Sequence, residues 1–231
     1  MRLHVLLLFL SVSLFVSAQE KVERPLEAFQ KVDIKGGINF VFSASSSFSV
    51  EILGKDPQDI ITDVKSGQLF IYHKNGKRVL SGEWNTITGR YQVIVHAPLL
   101  EGISTAGSGN ISIDGILKTD VLELNVSGSG NVSGKINVGN LTIESAGSSN
   151  IRLTGNVEKA NVRSSGSGNI QCFDLVVDDC HFSKSGSGNS QITVNHSLEV
   201  SISGSGNFTY KGTPKSISSS SAGSGKIKRI Q

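Results

Sequence analysis

Residues 126–134 read VSGSGNVSG, and the fold turns on why this stretch is there. A folding chain gains no apolar surface from Gly-Ser-Gly and loses much backbone entropy in ordering it. Yet near-copies recur: AGSGN ending at Asn110, SGSGN at Asn131, AGSSN at Asn150, SGSGN at Asn169, Asn189 and Asn207, and AGSGK at Lys226. Successive copies lie 18–21 residues apart. A period of that length means stacked supersecondary units. A flexible Gly/Ser linker is the competing reading, and the residues between the copies reject it.

Those residues alternate. One position after each Asn stand Ile111, Val132, Ile151, Ile170, Ser190 and Phe208. Nine before the next marker stand Leu122, Leu141, Ala160, Cys180, Leu198 and Ile217. Polar residues fall between: Ser112, Ser133, Arg152, Gln171 and Gln191 on the first stretch, then Glu123, Thr142, Asn161, His181 and Glu199 on the second. A period of two with one apolar face is a strand. Each unit therefore holds at least two short strands facing a common core.

About 20 residues is too short for a strand–helix–strand crossover and fits one coil of a parallel β-helix. The expectation is an all-β solenoid with equivalent positions stacked about 4.8 Å apart. SGSGN is then the corner of the coil. Gly supplies the φ > 0 that a sharp bend needs. Asn tolerates the left-handed region, and stacked Asn side chains can form an amide ladder. Asn110, Asn131, Asn150, Asn169, Asn189 and Asn207 are accordingly expected along one edge. Right-handed winding is expected, since parallel crossovers are overwhelmingly right-handed; short left-handed coils fit the sequence as well.

The ends of the chain differ from the repeat. MRLHVLLLFLSVSLFVSAQ carries a basic Arg2, an apolar run over residues 3–16 and small residues up to Ala18. It reads as a secretory signal over residues 1–18, with no lipobox Cys after it. Residues 19–231 read as one β-helix domain: less regular coils over 28–105, regular coils over 106–226 and a C-terminal cap over 222–231. Strand-like runs such as VDIKGGINFVFSA and RYQVIVHAP would form the opening coils, with a protruding loop at residues 74–90. A separate small β-domain over residues 20–100 is the alternative. Lys226, Lys228 and Arg229 read as charges that blunt the last coil.

The formal net charge is +3, of which Arg2 contributes one. With no basic stripe interleaved with aromatics, nucleic acid is disfavoured as a partner. After the signal no apolar run is long enough to span a membrane.

The repeated [AS]GSGN corners, followed by N-[IV]-x-I and preceded by GQLFIYH and YQVIVHAPLLEGISTAGSGNI, resemble the "head GIN" auto-transporter adhesin family of secreted bacterial proteins. The resemblance covers about residues 29–226. It implies a β-helical fold and a location in the periplasm, at the outer membrane or outside the cell. It implies adhesion by analogy and supplies no catalytic residues.

Candidate chemistry is sparse. Cys172 and Cys180 fall at inward positions of one coil; a disulfide across a thin core and two buried thiols both fit. Eleven before successive markers stand Glu158, Asp178 and His196, with Asp179 adjacent. Carboxylates at coil spacing can hold Ca²⁺ or act as acid and base on a polysaccharide; charged residues at a solvated bend is the favoured reading. No phosphate loop, HExxH or GxSxG motif is present, and no cofactor is expected. The reading reached from the sequence is an exported, non-catalytic, adhesin-like solenoid that contacts glycans or other surface macromolecules along its polar strand faces. A polysaccharide lyase or hydrolase built on a β-helix is the alternative.

Overall fold

The computed structural model of the protein describes residues 20–75 and 91–231. The signal segment and most of the expected protruding loop lie outside the described residues. No α-helix occurs among the described residues, and the chain forms a parallel β-solenoid of about seven turns. Among the described residues no helix is long and apolar enough to cross a membrane.

The regular coils are β9 (Ile111–Gly128), β10 (Asn131–Gly147), β11 (Asn150–Gly166), β12 (Asn169–Gly186) and β13 (Ser190–Ser203). Each pairs in parallel with the coil before and after it. The inward positions stack residue on residue: Leu122, Leu141, Ala160, Cys180 and Leu198 form one buried column. Full burial of each aliphatic side chain contributes about 1.5–3 kcal/mol. In β11 the buried positions run Ile151, Leu153, Val157, Ala160, Val162 and Ser164. The spacing of two breaks after Leu153 and again after Val157, so the strand ribbon bends twice within the coil. The corner motif makes the third bend.

The corner has two glycine requirements of different kind. Gly166 stands at φ 116°, in the region that only glycine occupies without strain. Gly168 does not have a left-handed φ. A Cβ on it would lie 2.1 Å from the carbonyl oxygen of Ser149 on the preceding coil. Positive φ therefore belongs to the first glycine of the motif, and the second is demanded by stacking contact. The same contact exposes a corner that the spacing of SGSGN did not reveal. A Cβ on Gly107 or Gly109 would strike the carbonyl oxygens of Gly36 or Ile38. Gly36-Gly37-Ile38-Asn39 is thus the opening corner, lying between β2 (Lys31–Lys35) and β3 (Asn39–Ala44).

The N-terminal part belongs to the same 16-stranded sheet but departs from parallel winding. β6 (Gln68–His73) and β7 (Gln92–Ala97) pair in parallel with β2 and β3 and form a layer outside the first corner. β8 (Gly102–Gly107) returns to the other side of β2. β1 (Glu20–Pro25), β4 (Ser49–Gly54) and β5 (Ile60–Lys65) add antiparallel to this end. At the other end, β14 (Phe208–Lys211) and β15 (Ser216–Ala222) both pair with β13, and β16 (Ile227–Arg229) pairs with β14. Gly223 and Gly225 stack on Gly204 and Gly206 as one more corner. Residues 222–231 are therefore a last rung of the same stack, with Lys226 in the place of Asn.

Candidate functional site

Four surface features bear on function: the corner edge, the bend that carries the acidic candidates, a groove beside the corner and the strand face that follows the corner.

Along the edge, Oδ1 of Asn39 accepts from the backbone N–H of Asn110 at 3.0 Å. Oδ1 of Asn110 accepts from the Asn131 side-chain amide at 2.9 Å, and Asn131 from Asn150 at 3.1 Å. Asn150 accepts from Asn169 at 2.9 Å. Asn169 and Asn189 accept from the backbone N–H of Asn189 and Asn207 at 2.9 and 3.1 Å. The run ends where the Lys226 N–H donates to Asn207, because a lysine offers no acceptor for a further rung.

The bend places the acidic candidates differently from their spacing. Nδ1 of His196 lies 2.6 Å from Oδ1 of Asp179, not against Asp178. The Ser197 hydroxyl donates to the same oxygen at 2.6 Å. Beyond a register shift after Val177, Asp179 pairs with Ser197, so the His196 side chain reaches it diagonally from the position before. The Ser197 hydroxyl first, and the His196 ring second, hold the Asp179 carboxyl below the usual carboxylate range. Both partners converge on one carboxylate oxygen. His196 therefore does not stand between Ser197 and Asp179, the order in which a base activates a nucleophile. Glu158 and Asp178 line a separate shallow groove of about 500 Å³ with Lys118 and Asp120. No group of three His, Cys, Asp or Glu suited to a metal ion is present among the described residues. The weak metal set Glu158, Asp178, Asp179 and His196 is split between two places: Asp179 is held by His196 and Ser197, and Glu158 and Asp178 line the other groove.

Cys172 and Cys180 stand as free, buried thiols in this structure. The Leu153 N–H donates to Sγ of Cys172 at 3.4 Å, which holds this thiol against the preceding coil. Cys180 stacks between Ala160 and Leu198. Burial pushes the thiols up to about 11 and about 12.

Sequence reasoning did not single out Lys184. It is 2 % exposed, in the inward column Val126, Ser145, Ser164, Lys184, Ile202. Its Nζ donates to Ser164 Oγ at 3.4 Å and to the Gly168 carbonyl at 3.5 Å. Among the described residues no carboxylate pairs with it, and burial lowers its pKa. The position alternates correctly but carries a charged residue where an apolar one is expected, and that mismatch was the available signal.

The groove beside the corner, about 570 Å³, is floored by small residues such as Ala106, Ala146 and Ser165 and edged by Glu144 and Arg163. The strand face after the corner is richer in donors. Arg152, Gln171, Gln191, Thr209 and Lys228 run across five successive rungs: Gln171 pairs with Gln191, Gln191 with Thr209, and Thr209 with Lys228. Arg152 donates through Nη2 to Oε1 of Gln171. Beside this column, Nζ of Lys211 sits 4.9 Å from the centre of the half-buried Phe173 ring.

Residues 28–214 match the family described as "Putative auto-transporter adhesin, head GIN domain". The chain belongs to this family. Solved structures also resemble this head GIN chain. One is a "putative adhesin" from Bacteroides fragilis, 28% identical over 93% of this chain and 98% of that one, with a TM-score of 0.80. Another is a "putative lipid binding protein" from Parabacteroides distasonis, 26% identical over 94% and 98%, with a TM-score of 0.73. A "putative adhesin" from Parabacteroides merdae, 21% identical over 94% and 98% with a TM-score of 0.64, shares the fold. No curated protein matches the chain.

Proposed function

We propose that this head GIN protein is an exported, non-catalytic, adhesin-like solenoid that contacts glycans or other surface macromolecules along its polar strand faces. The observation that carries this reading is the column Arg152, Gln171, Gln191, Thr209. It sets hydrogen-bond donors on adjacent rungs about 4.8 Å apart, on a rigid sheet that needs no reordering to bind. Preorganised donors lose little entropy on engaging a repeating ligand. The leader-like residues 1–18 support export, and the family supports a surface role.

The split acidic bend supports a non-catalytic role. A glycosidase needs two carboxyl groups about 5–10 Å apart with one held protonated. Asp179 is instead tied down by Ser197 and His196 as the ionised form. The experiment is a glycan-array screen of the purified protein beside a Gln171→Ala/Gln191→Ala variant. Binding to a defined glycan that is lost in the variant supports the reading. Release of reducing ends or unsaturated sugars by the wild type, abolished by Asp178→Asn, replaces it with the enzyme.

A further inference from the structure

We propose that the ligand of this strand face is an anionic polysaccharide, bound by carboxylate or sulfate groups along the line from Arg152 to Lys228. The inference rests on the reading of that face as a binding surface and adds the charge class of the ligand.

The small net charge hides a segregation of charge around the solenoid. Among the described residues, no carboxylate lies within 4.0 Å of Arg152, Lys211, Lys226, Lys228 or Arg229. The side of the coils that follows the second bend is the reverse. It carries Glu123, Glu144, Asp179 and Glu199, and each of them is engaged by a neighbouring Lys, Arg or His. The chain contains no Asp or Glu after Glu199, so the last rungs contribute cations only. The two carboxylates near the donor column, Asp114 and Asp174, stand outside it on their strands.

An array of cations with no internal counter-charge is stable in water because solvent and salt screen it. It becomes a binding surface for a ligand that brings the counter-charges at a matching repeat. The column offers a guanidinium, two primary amides, a hydroxyl and an ammonium. Guanidinium and ammonium favour carboxylate or sulfate, while the amides and the hydroxyl suit sugar hydroxyls. The Phe173 ring next to Lys211 adds a flat apolar patch against which a pyranose face can lie. A neutral glycan would leave the cations unused. A nucleic acid would find a single half-buried ring, Phe173, beside these cations to stack on.

Titration of the purified protein with polygalacturonate, with neutral dextran as control, tests this directly. Polygalacturonate binding is expected, with no dextran binding, and with affinity that falls on the order of tenfold as salt rises from low to well above physiological. Lys211→Glu/Lys228→Glu is expected to weaken it at least about tenfold by charge reversal at the face, with an unchanged melting curve. Lys118→Glu/Lys159→Glu makes the same charge change away from the face and is expected to bind as wild type. Equal losses in the two double variants would show unspecific charge attraction and overturn the proposal. So would tighter binding to phosphatidylglycerol vesicles than to polygalacturonate, which would make the face a lipid-headgroup surface. Capture of a neutral glycan through Gln171 and Gln191 with no polygalacturonate binding would overturn the charge class and leave the binding face standing. Absence of any glycan binding would remove both.

Discussion

Asn131 donates to a single atom of Asn110 twice: its backbone N–H reaches Oδ1 at 3.1 Å and its side-chain amide reaches the same oxygen at 2.9 Å. The fork fixes both the backbone and the side chain of one rung against the rung before it. Asn131 then accepts from Asn150 in turn. One residue type thus serves as donor, acceptor and corner former, which is why the marker ends in Asn through six copies.

Replacing Asn131 by Ala removes its side-chain donor to Asn110 and the acceptor of Asn150. Two hydrogen bonds at about 0.5–1.5 kcal/mol each predict a loss of about 1–3 kcal/mol. A chain of this length then melts several degrees lower. Ser133→Ala, two residues on and exposed, is expected to change the midpoint little. Equal midpoints by calorimetry would show that the ladder is decoration.

The two glycines of one corner are predicted to be intolerant for different reasons. Gly166→Ala forces a side chain into φ 116° and against the Gly147 carbonyl oxygen at 2.3 Å. Gly168→Ala keeps an ordinary φ but drives its Cβ to 2.1 Å from the Ser149 carbonyl oxygen. Each should cost more than about 2 kcal/mol, since backbone cannot yield as a side chain does. Ser167→Ala, at an exposed position of the same corner, should cost under about 0.5 kcal/mol. Denaturant midpoints of the three variants measure the order.

Lys184 makes stability depend on pH in a direction that can be worked out. Burial lowers its pKa in the fold below the ordinary 10.5. Between the lowered value and 10.5 the unfolded chain holds a proton that the folded chain has lost, so stability rises with pH across that window. Below the window both states are protonated and the fold carries the full cost of a buried ammonium with two long hydrogen bonds. Lys184→Met should therefore be more stable than wild type at pH 7, by about 1–3 kcal/mol. The gap should shrink as pH climbs toward 10.5. A gap that stays constant from pH 7 to 10 would mean that Lys184 is not desolvated.

The thiols give a chemical test of burial. With Cys172 raised to about 11 and Cys180 to about 12, neither is a thiolate at pH 8, and neither faces solvent. The native protein should react with a disulfide reagent far more slowly than a free cysteine does, and release two thiols per chain once unfolded in denaturant. A mass two hydrogens lower with no titratable thiol would reveal a bridge instead.

Much of the architecture was legible in the residues because a solenoid is nearly one-dimensional. The period near 20, the inward column Leu122, Leu141, Ala160, Cys180, Leu198 and the corner Asn positions depend on contacts between neighbouring rungs, and spacing along the chain records those directly. What spacing could not decide was any contact made across an interruption or a register shift. Asn39 meets Asn110 across 71 residues of sequence, and the excursion through β4–β7 hides the equivalence of Gly36-Gly37-Ile38-Asn39 with SGSGN. Past the register break after Val177, Asp179 pairs with Ser197, yet the His196 side chain reaches diagonally to Asp179 while Asp178 lines another groove, and spacing records no diagonal. The free cations of Arg152, Lys211 and Lys228 belong to the same class. Composition shows only their number, whereas the winding of the coils decides which side chains share a face and which of them find a carboxylate. Pair energies fall off within a few ångströms, and only the folded chain sets distances at that scale.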